Sequence, residues 1–174
     1  QISGGADHFC GNQDEAVEKV REILALDRPQ TIHSHRYAEA PPRLSVESIY
    51  DTMPAAVHQG IDVRQFLGGI AVDSALYEFK QDYAPGRGDN IVAGKIRIKG
   101  LPVGIVASNK VGIIFAEAAK KAAEWIIRCS HDKTPLLFIQ NSPGYMIGSE
   151  SELLGIGKYG ADMVRAVSCA QVPR

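Results

Sequence analysis

Hydrophobic residues near the start of the chain recur at helical spacing. An apolar stripe runs from Ala16 to Leu24, and Asn12 with Glu15 forms a capping-box pattern just ahead of it. Acidic residues early in the segment also interact favourably with the helix dipole. The pattern predicts a helix that continues to about Leu26.

This periodicity disappears between Asp27 and Pro54. Several prolines interrupt the stretch and no apolar repeat is sustained, which predicts an irregular linker between two subdomains. After the linker, Asp62 is the predicted N-cap of a short helix that starts at Val63 and presents its apolar residues on one face.

Alternation with a period of two begins after Asn90. Between Val92 and Lys99 every second residue is apolar, so one face of the predicted strand is apolar and the other is basic. A second, more uniformly apolar strand from Leu101 to Ser108 follows a tight turn, which predicts a hairpin. We expect the basic face to be solvated, although it would also suit a phosphorylated ligand such as coenzyme A. Its residues are Lys95, Arg97 and Lys99.

Helical spacing returns twice in the last third of the chain. Alanines and isoleucines from Ala116 to Ile127 predict a helix, and a buried strand at 136–140 follows. Ser149 and Glu152 have capping-box spacing, and the apolar residues at 156–167 continue one helical face. The order strand, strand, helix, strand, helix predicts an α/β unit of the parallel-sheet kind. Because such a unit normally returns to another strand, we expect the chain to stop within a fold.

Composition argues against several kinds of partner. The 174 residues include 19 basic and 20 acidic side chains without long runs of either sign, so we expect neither nucleic acid nor a membrane as partner. Three widely spaced cysteines favour neither a disulfide framework nor a zinc site and suit a reducing compartment. They are Cys10, Cys129 and Cys169.

The turn that follows the last strand is the best candidate for chemistry. It consists of Asn141, Ser142, Pro143 and Gly144 and interrupts the apolar run abruptly. Glycine lets a ligand approach the backbone and proline cannot donate a hydrogen bond, so the N–H groups of Gly144 and Tyr145 are the candidate donors to an anion. On local sequence alone, a plain connecting turn is the alternative.

Other polar clusters are weaker candidates. Ser142 lacks the G-x-S-x-G elbow of a nucleophilic serine. His33 and His35 have no third ligand at metal-like spacing, and no metal site is predicted. The pair Asp7 and His8 is more typical of local hydrogen bonding than of a catalytic dyad.

Six segments together resemble the carboxyltransferase β subunit of biotin-dependent acyl-CoA carboxylases. Their order and spacing agree with that family over nearly the whole chain, and the details are most similar to the methylcrotonyl-CoA or geranyl-CoA type. The segments are SGGADHF, YEFKQDYAPG, GKIRIKGLPVGIVASN, FAEAAKKAAEWI, PLLFIQNSPGYMIGSESE and GIGKYGADMVRAVSCAQVP.

The resemblance implies an α/β, crotonase-like fold built from repeated ββα units and truncated here. Residues 1–60 would be the tail of an N-terminal carboxyltransferase subdomain plus the linker, and residues 61–174 the first part of the C-terminal subdomain. In this family the active site lies between such subdomains of two subunits, so we expect glycine-rich segments beyond both ends of this chain. The isolated chain is then expected to be inactive and to self-associate through its unfinished sheet.

The same resemblance implies a reaction. The complete enzyme would transfer a carboxyl group from carboxybiotin, held by a biotin carboxylase or biotin carrier subunit, to an acyl-CoA without a metal. Carboxybiotin releases CO2, the ureido group takes the α-proton of the substrate, and backbone N–H groups stabilise the enolate and the biotin oxyanion. In this scheme Gly144 and Tyr145 are the catalytic donors, and the cofactor-binding residues are Ser142, Pro143, Asn109 and Phe115.

Alternatives stay open on the sequence alone. Transcarboxylase and biotin-dependent decarboxylase subunits share the same architecture, and another crotonase-type acyl-CoA enzyme is a further alternative. Outside enzymes, the chain would be a non-catalytic interaction module whose turn only connects a strand to a helix. In the carboxylase case we expect a homo-oligomer of β subunits in the cytoplasm, or in the mitochondrial matrix of a eukaryote.

Overall fold

The computed structural model describes residues 2–27, 41–54, 56 and 59–174. Helix α1, Gln13–Asp27, begins as predicted. The Asn12 side-chain oxygen accepts a hydrogen bond from the backbone N–H of Glu15 at 2.9 Å, and the Glu15 carboxylate accepts one from the N–H of Gly11 at 2.7 Å. The predicted cap is confirmed, with Gly11 in place of Asn12 as the backbone donor to the glutamate.

The predicted linker includes one helical turn, α2, at Ser48–Asp51. The part at 28–40, with the His33 and His35 cluster, lies outside the described residues. Helix α3, Val63–Gly68, begins at the predicted cap, where the Asp62 side chain accepts from the N–H of Arg64 at 3.1 Å.

Four strands form one sheet in the order β1-β2-β3-β4. The central hairpin has the predicted antiparallel register, from the pair Ile91 and Ser108 to the pair Ile98 and Leu101. Both residues of its turn, Lys99 and Gly100, have positive φ, as a two-residue type I′ turn requires. Strand β4 pairs parallel to β3. The strands are β1 Tyr77–Glu78, β2 Ile91–Ile98, β3 Leu101–Ser108 and β4 Leu136–Ile139.

Helices cover both faces of the sheet. Helix α4, Ala116–His131, packs on one face, and helix α6, Ile156–Cys169, packs against α4. On the other face, Val63 and Leu67 of α3 meet apolar residues of β2 and β3 in a second core cluster. The catalytic candidates follow β4, at the edge of this layered unit.

The expectation of a solvated basic face on β2 is wrong for Lys95, which is only 7% exposed. Strand β1 places Tyr77 beside Lys95, and Trp125 of α4 packs over the same face. Of the three basic residues only Lys99 is exposed, at the turn. A two-residue strand has no periodicity of its own, so neither β1 nor the cover it provides is visible in the sequence pattern.

The predicted capping box at Ser149 and Glu152 is also wrong. Helix α5, Ser149–Leu153, has Gly148 as its N-cap and no side-chain cap, because Ser149 is already helical. The carbonyl of Gly148 accepts from the N–H of Glu152 at 3.0 Å. Gly155, with φ of +85°, then separates α5 from α6.

Candidate functional site

The turn after β4 is attached to the segment that leads into α4. The N–H of Ile114 donates to the carbonyl of Gly144 at 3.0 Å, and the N–H of Met146 donates to the carbonyl of Ile114 at 2.9 Å. These two bonds make an isolated parallel bridge between Ile114 and Tyr145. Residues 144–146 are therefore paired with Ile114 along one edge of their backbone.

The bridge leaves the Tyr145 N–H on the unpaired edge. Successive peptide groups of an extended segment point to opposite sides, so the Tyr145 N–H points away from Ile114. It has no hydrogen-bond acceptor among the described residues. Gly144 differs, since its N–H already donates to the Ser142 hydroxyl at 3.1 Å. Of the two predicted donors, Tyr145 is the one whose N–H is free for a ligand.

Gly144 has a backbone conformation that other residues adopt only under strain. Its φ is +125°, and no atom lies within 4 Å of the position that a Cβ would occupy. The glycine is therefore required by conformation and not by crowding. The open space beside it gives a ligand access to the backbone.

A cavity of about 300 Å³ adjoins the turn. Ser142, Gly144 and Tyr145 lie on its wall together with apolar side chains from the sheet and from α6, such as Phe138 and Met163. The Tyr145 ring also packs beside Gly160 of α6, 3.2 Å from where a Cβ would stand. Burial raises the pKa of the Tyr145 phenol, so the side chain stays neutral at ordinary pH.

Asn109 lies elsewhere and has a structural role. It is 2% exposed, and its side-chain oxygen accepts from the N–H of Val63 at 3.1 Å. Its amide nitrogen donates to the carbonyl of Asp89 at 2.8 Å. The side chain therefore joins α3 to the short turn before β2, and it does not line the cavity.

The remaining predicted cofactor-binding residues do not all lie on the cavity wall. Ser142 lines the cavity, whereas Phe115 and Pro143 do not. Phe115 is the N-cap residue of α4, and Pro143 is exposed on the outside of the turn. Among these residues, Ser142 is the one that shares the cavity wall with Gly144 and Tyr145.

Asp7 and His8 bind separate partners. His8 shares a hydrogen bond of 2.8 Å with the Tyr77 hydroxyl, and Asp7 lies 3.1 Å from the Arg128 guanidinium. Lys80 holds the same N-terminal segment by donating to the carbonyl of Gly4 at 2.6 Å. These contacts attach residues 4–8 to β1 and α4.

A buried ionic cluster was not predicted. Glu78 accepts hydrogen bonds from Arg64, and Lys121 lies 3.8 Å from the same carboxylate with a fully buried side chain. Burial lowers the pKa of Lys121 to about 8. The lysine follows Lys120 in a helix that also carries Glu117 and Glu124, so its sequence context resembles a solvated face and carries no signal of burial.

Comparison with known proteins decides the family. Residues 1–174 match the model of the carboxyl transferase domain. The chain belongs to this family.

None of the helices in the described part of the chain is long and apolar enough to cross a membrane.

Its relatives are much longer proteins. The chain is 37% identical over 175 residues to the biotin-dependent 3-methylcrotonyl-coenzyme A carboxylase beta1 subunit of Mycobacterium tuberculosis, covering 100% of this chain and 32% of that subunit. The solved beta subunit of P. aeruginosa geranyl-CoA carboxylase is 34% identical with a TM-score of 0.72, covering 99% of this chain and 32% of that one. The chain therefore spans about a third of the length of the relatives it matches.

A further solved relative supports the predicted fold. The transcarboxylase 12S hexamer with hydrolysed methylmalonyl-coenzyme A bound superposes with a TM-score of 0.82 at 28% identity, over 98% of this chain and 34% of that one. These structures are carboxyltransferases of the crotonase-like fold, so the prediction of that fold is confirmed.

Proposed function

We propose that this chain is part of the carboxyltransferase subunit of a biotin-dependent acyl-CoA carboxylase. Within it, we assign the Tyr145 N–H to stabilising negative charge on an oxygen of the reacting groups, on the biotin side of the site. The observation that carries the proposal is this N–H, which lies beside an apolar cavity and has no acceptor among the described residues. Family membership supplies the reaction class.

The residues present suit the ureido end of biotin. The cavity wall combines apolar side chains with a few polar residues, which suits a largely apolar ring that carries a carbonyl oxygen. The polar residues are Ser108, Gln140, Ser142 and Tyr145. Carboxybiotin, when bound, supplies the carboxyl group that is transferred.

The chain contributes a fixed donor in apolar surroundings. The bonds to Ile114 hold the turn, and the Ser142 hydroxyl occupies the neighbouring N–H of Gly144. The Tyr145 N–H then needs no reorientation as charge develops, and the apolar wall strengthens its interaction with that charge. One such donor is worth roughly 3 kcal/mol of transition-state stabilisation.

The wider assembly is part of the same proposal. Residues 1–60 belong to the end of an N-terminal subdomain and the linker, and residues 61–174 to the start of the C-terminal subdomain. The complete subunit forms a homo-oligomer and receives carboxybiotin from a biotin carboxylase or biotin carrier partner. Support comes from the named relatives, which are carboxylase subunits and a hexameric transcarboxylase.

The proposal is tested with the complete subunit that contains this segment, assembled with its biotin-carrying partner. Incorporation of radiolabelled bicarbonate into 3-methylcrotonyl-CoA, geranyl-CoA and propionyl-CoA is measured for the wild type and for Gly144→Ala. We expect carboxylation of at least one thioester by the wild type and a decrease of about tenfold or more in kcat for the variant, because an alanine cannot hold a φ of +125° without strain.

Gly157→Ala is the matched control. Gly157 lies in α6 without a positive φ, and a Cβ there would meet only the far end of Glu152 at 3.7 Å. Its turnover is expected to equal that of the wild type. Failure of the wild type to carboxylate any acyl-CoA would remove the proposed reaction, and full activity of Gly144→Ala would remove the turn from it.

A further inference from the structure

The far end of the catalytic turn is anchored weakly by its own residues. Beyond Met146, residues 147–150 are all exposed, and Gly148 has a φ of +115° with no atom within 4 Å of the position that a Cβ would occupy. Helix α5, into which the turn leads, is five residues long and buries none of its side chains. Hydrophobic packing therefore does not fix the position of α5.

Among the described residues, one side-chain hydrogen bond joins α5 to the rest of the molecule, in addition to the contacts between α5 and α6. In the described part of the chain, Glu150 in the first turn of α5 accepts a hydrogen bond from the Arg87 guanidinium. The same guanidinium lies 3.6 Å from the carboxylate of Glu117, in the first turn of α4. Arg87 thus links the start of α5, into which the turn leads, to the start of α4, which follows the residue Ile114 to which the turn is bonded.

Arg87 itself is held by a well-bonded loop. Its backbone N–H donates to the carbonyl of Ala84 at 3.0 Å, and the side chain of Asn90 donates to the carbonyl of Gly86 at 3.0 Å. Asn90 is buried where β2 begins. Hydrogen bonds therefore fix the loop that carries Arg87, and this loop leads directly into β2.

Glu117 gives Arg87 a second role, as the counter-charge of a half-buried carboxylate. One oxygen of its carboxylate is buried and has no hydrogen-bond partner among the described residues. A nearby cation stabilises a carboxylate in such a position, and the Arg87 guanidinium lies 3.6 Å from its other oxygen, Oε1. The arginine therefore pairs with the half-buried Glu117 and the exposed Glu150 at the same time.

We propose that Arg87 is a positioning residue that fixes the catalytic turn by clamping α5 to the start of α4. The inference rests on the proposed function for its effect on catalysis, but the clamp is a separate physical claim. Arg87 acts through Glu150 and the backbone of residues 145–149 and does not contact the cavity.

The clamp is tested by hydrogen–deuterium exchange on the complete, assembled subunit. In Arg87→Gln and in Glu150→Gln, amides of residues 147–154 are expected to exchange about fivefold faster or more than in the wild type, since local opening is no longer restrained. Arg87→Lys keeps the charge and should restore part of the protection. The control is Arg165→Gln, which removes an exposed ion pair of 3.3 Å to Asp162 on α6.

Kinetics on the same variants separate the clamp from the reaction. With faster exchange, kcat is expected to fall about fivefold while KM for the acyl-CoA changes less than twofold, because the turn is mispositioned and not removed. Unchanged exchange in both Arg87→Gln and Glu150→Gln overturns the clamp. Faster exchange with unchanged kcat leaves the clamp standing and contradicts the proposed function of the turn instead.

Discussion

Glu78 and Arg64 form a two-point contact in the interior of the molecule. Arg64 Nε donates to Glu78 Oε2 at 2.7 Å and Arg64 Nη2 donates to Oε1 at 2.9 Å, and the glutamate side chain is only 4% exposed. Lys121 also lies 3.8 Å from this carboxylate, so Glu78 faces two cations, of which Arg64 has a second partner in Asp62 at 3.4 Å. The contact ties α3 to β1 and α4, across the edge of the sheet.

Removal of the Glu78 carboxylate should destabilise the fold. In Glu78→Ala, the fully buried Lys121 loses its counter-charge and Arg64 keeps only its pair with Asp62, so we expect the free energy of unfolding to fall by about 3–5 kcal/mol. Denaturant unfolding of the complete subunit measures the loss. Exposed Glu22→Ala, which removes an i,i+3 pair with Lys19 on α1, is the control and should change stability by less than about 1 kcal/mol. A loss as small as that of the control would show that the cluster does not stabilise the fold.

Lys121 should make stability depend on pH. Its pKa is about 8 in the folded chain and near its ordinary 10.5 when unfolded, so between these values the unfolded state binds more protons. The unfolding free energy therefore rises with pH across this window, by on the order of 3 kcal/mol in total for this one group.

Lys121→Met isolates that contribution from the other groups that titrate above pH 8. The difference in unfolding free energy between wild type and variant should shift in favour of the wild type as pH rises from 8 to 10.5. A difference that is constant over this range would mean that Lys121 keeps an ordinary pKa in the folded state.

Several elements could be predicted because their signal is local. The β2–β3 hairpin follows from alternation and from a two-residue turn at Lys99 and Gly100, and α4 follows from its own apolar stripe. The burial of Lys95 could not be predicted in the same way. It depends on β1, which is too short to show a period, and on the packing of α4 over the sheet.

The candidate site was predictable only in part, for a similar reason. A strand that ends in a glycine turn marks the neighbourhood of Tyr145, and the cavity does lie there. The choice between the two donors depends on the Ser142 hydroxyl and on Ile114, which is distant from the turn along the chain. Asn109 carries an amide side chain that could bind a ligand. Its two polar atoms are instead hydrogen-bonded to the backbone of Val63 and Asp89, which are distant along the chain.

Asn109 should therefore affect stability more than catalysis. Asn109→Ala leaves the N–H of Val63 and the carbonyl of Asp89 without their buried partner, so we expect a loss of about 2–4 kcal/mol in unfolding free energy. Under conditions where the variant is folded, KM and kcat should stay within twofold of the wild type. A selective rise in KM for the biotin-carrying partner, at unchanged stability, would restore Asn109 as a binding residue.

Lys80 should control the attachment of the N-terminal segment. It is 5% exposed and donates to the Gly4 carbonyl at 2.6 Å while also pairing with Glu124. In Lys80→Met we expect faster amide exchange for residues 4–9, with α4 unaffected, because methionine cannot donate a hydrogen bond to the Gly4 carbonyl. Exposed Lys133→Met is the control. Equal exchange in the two variants would show that other interactions hold the segment.

The central claim is that the peptide N–H of Tyr145 stabilises charge in the reaction. It is tested most directly by replacing Tyr145 with its α-hydroxy acid, which exchanges the N–H for an ester oxygen and keeps the side chain. The same replacement at Ile147, whose side chain is 83% exposed, is the control. Single-turnover carboxylation by the complete subunit should slow about 100-fold for the ester at Tyr145, with little change at Ile147. Equal rates for the two esters would contradict the claim.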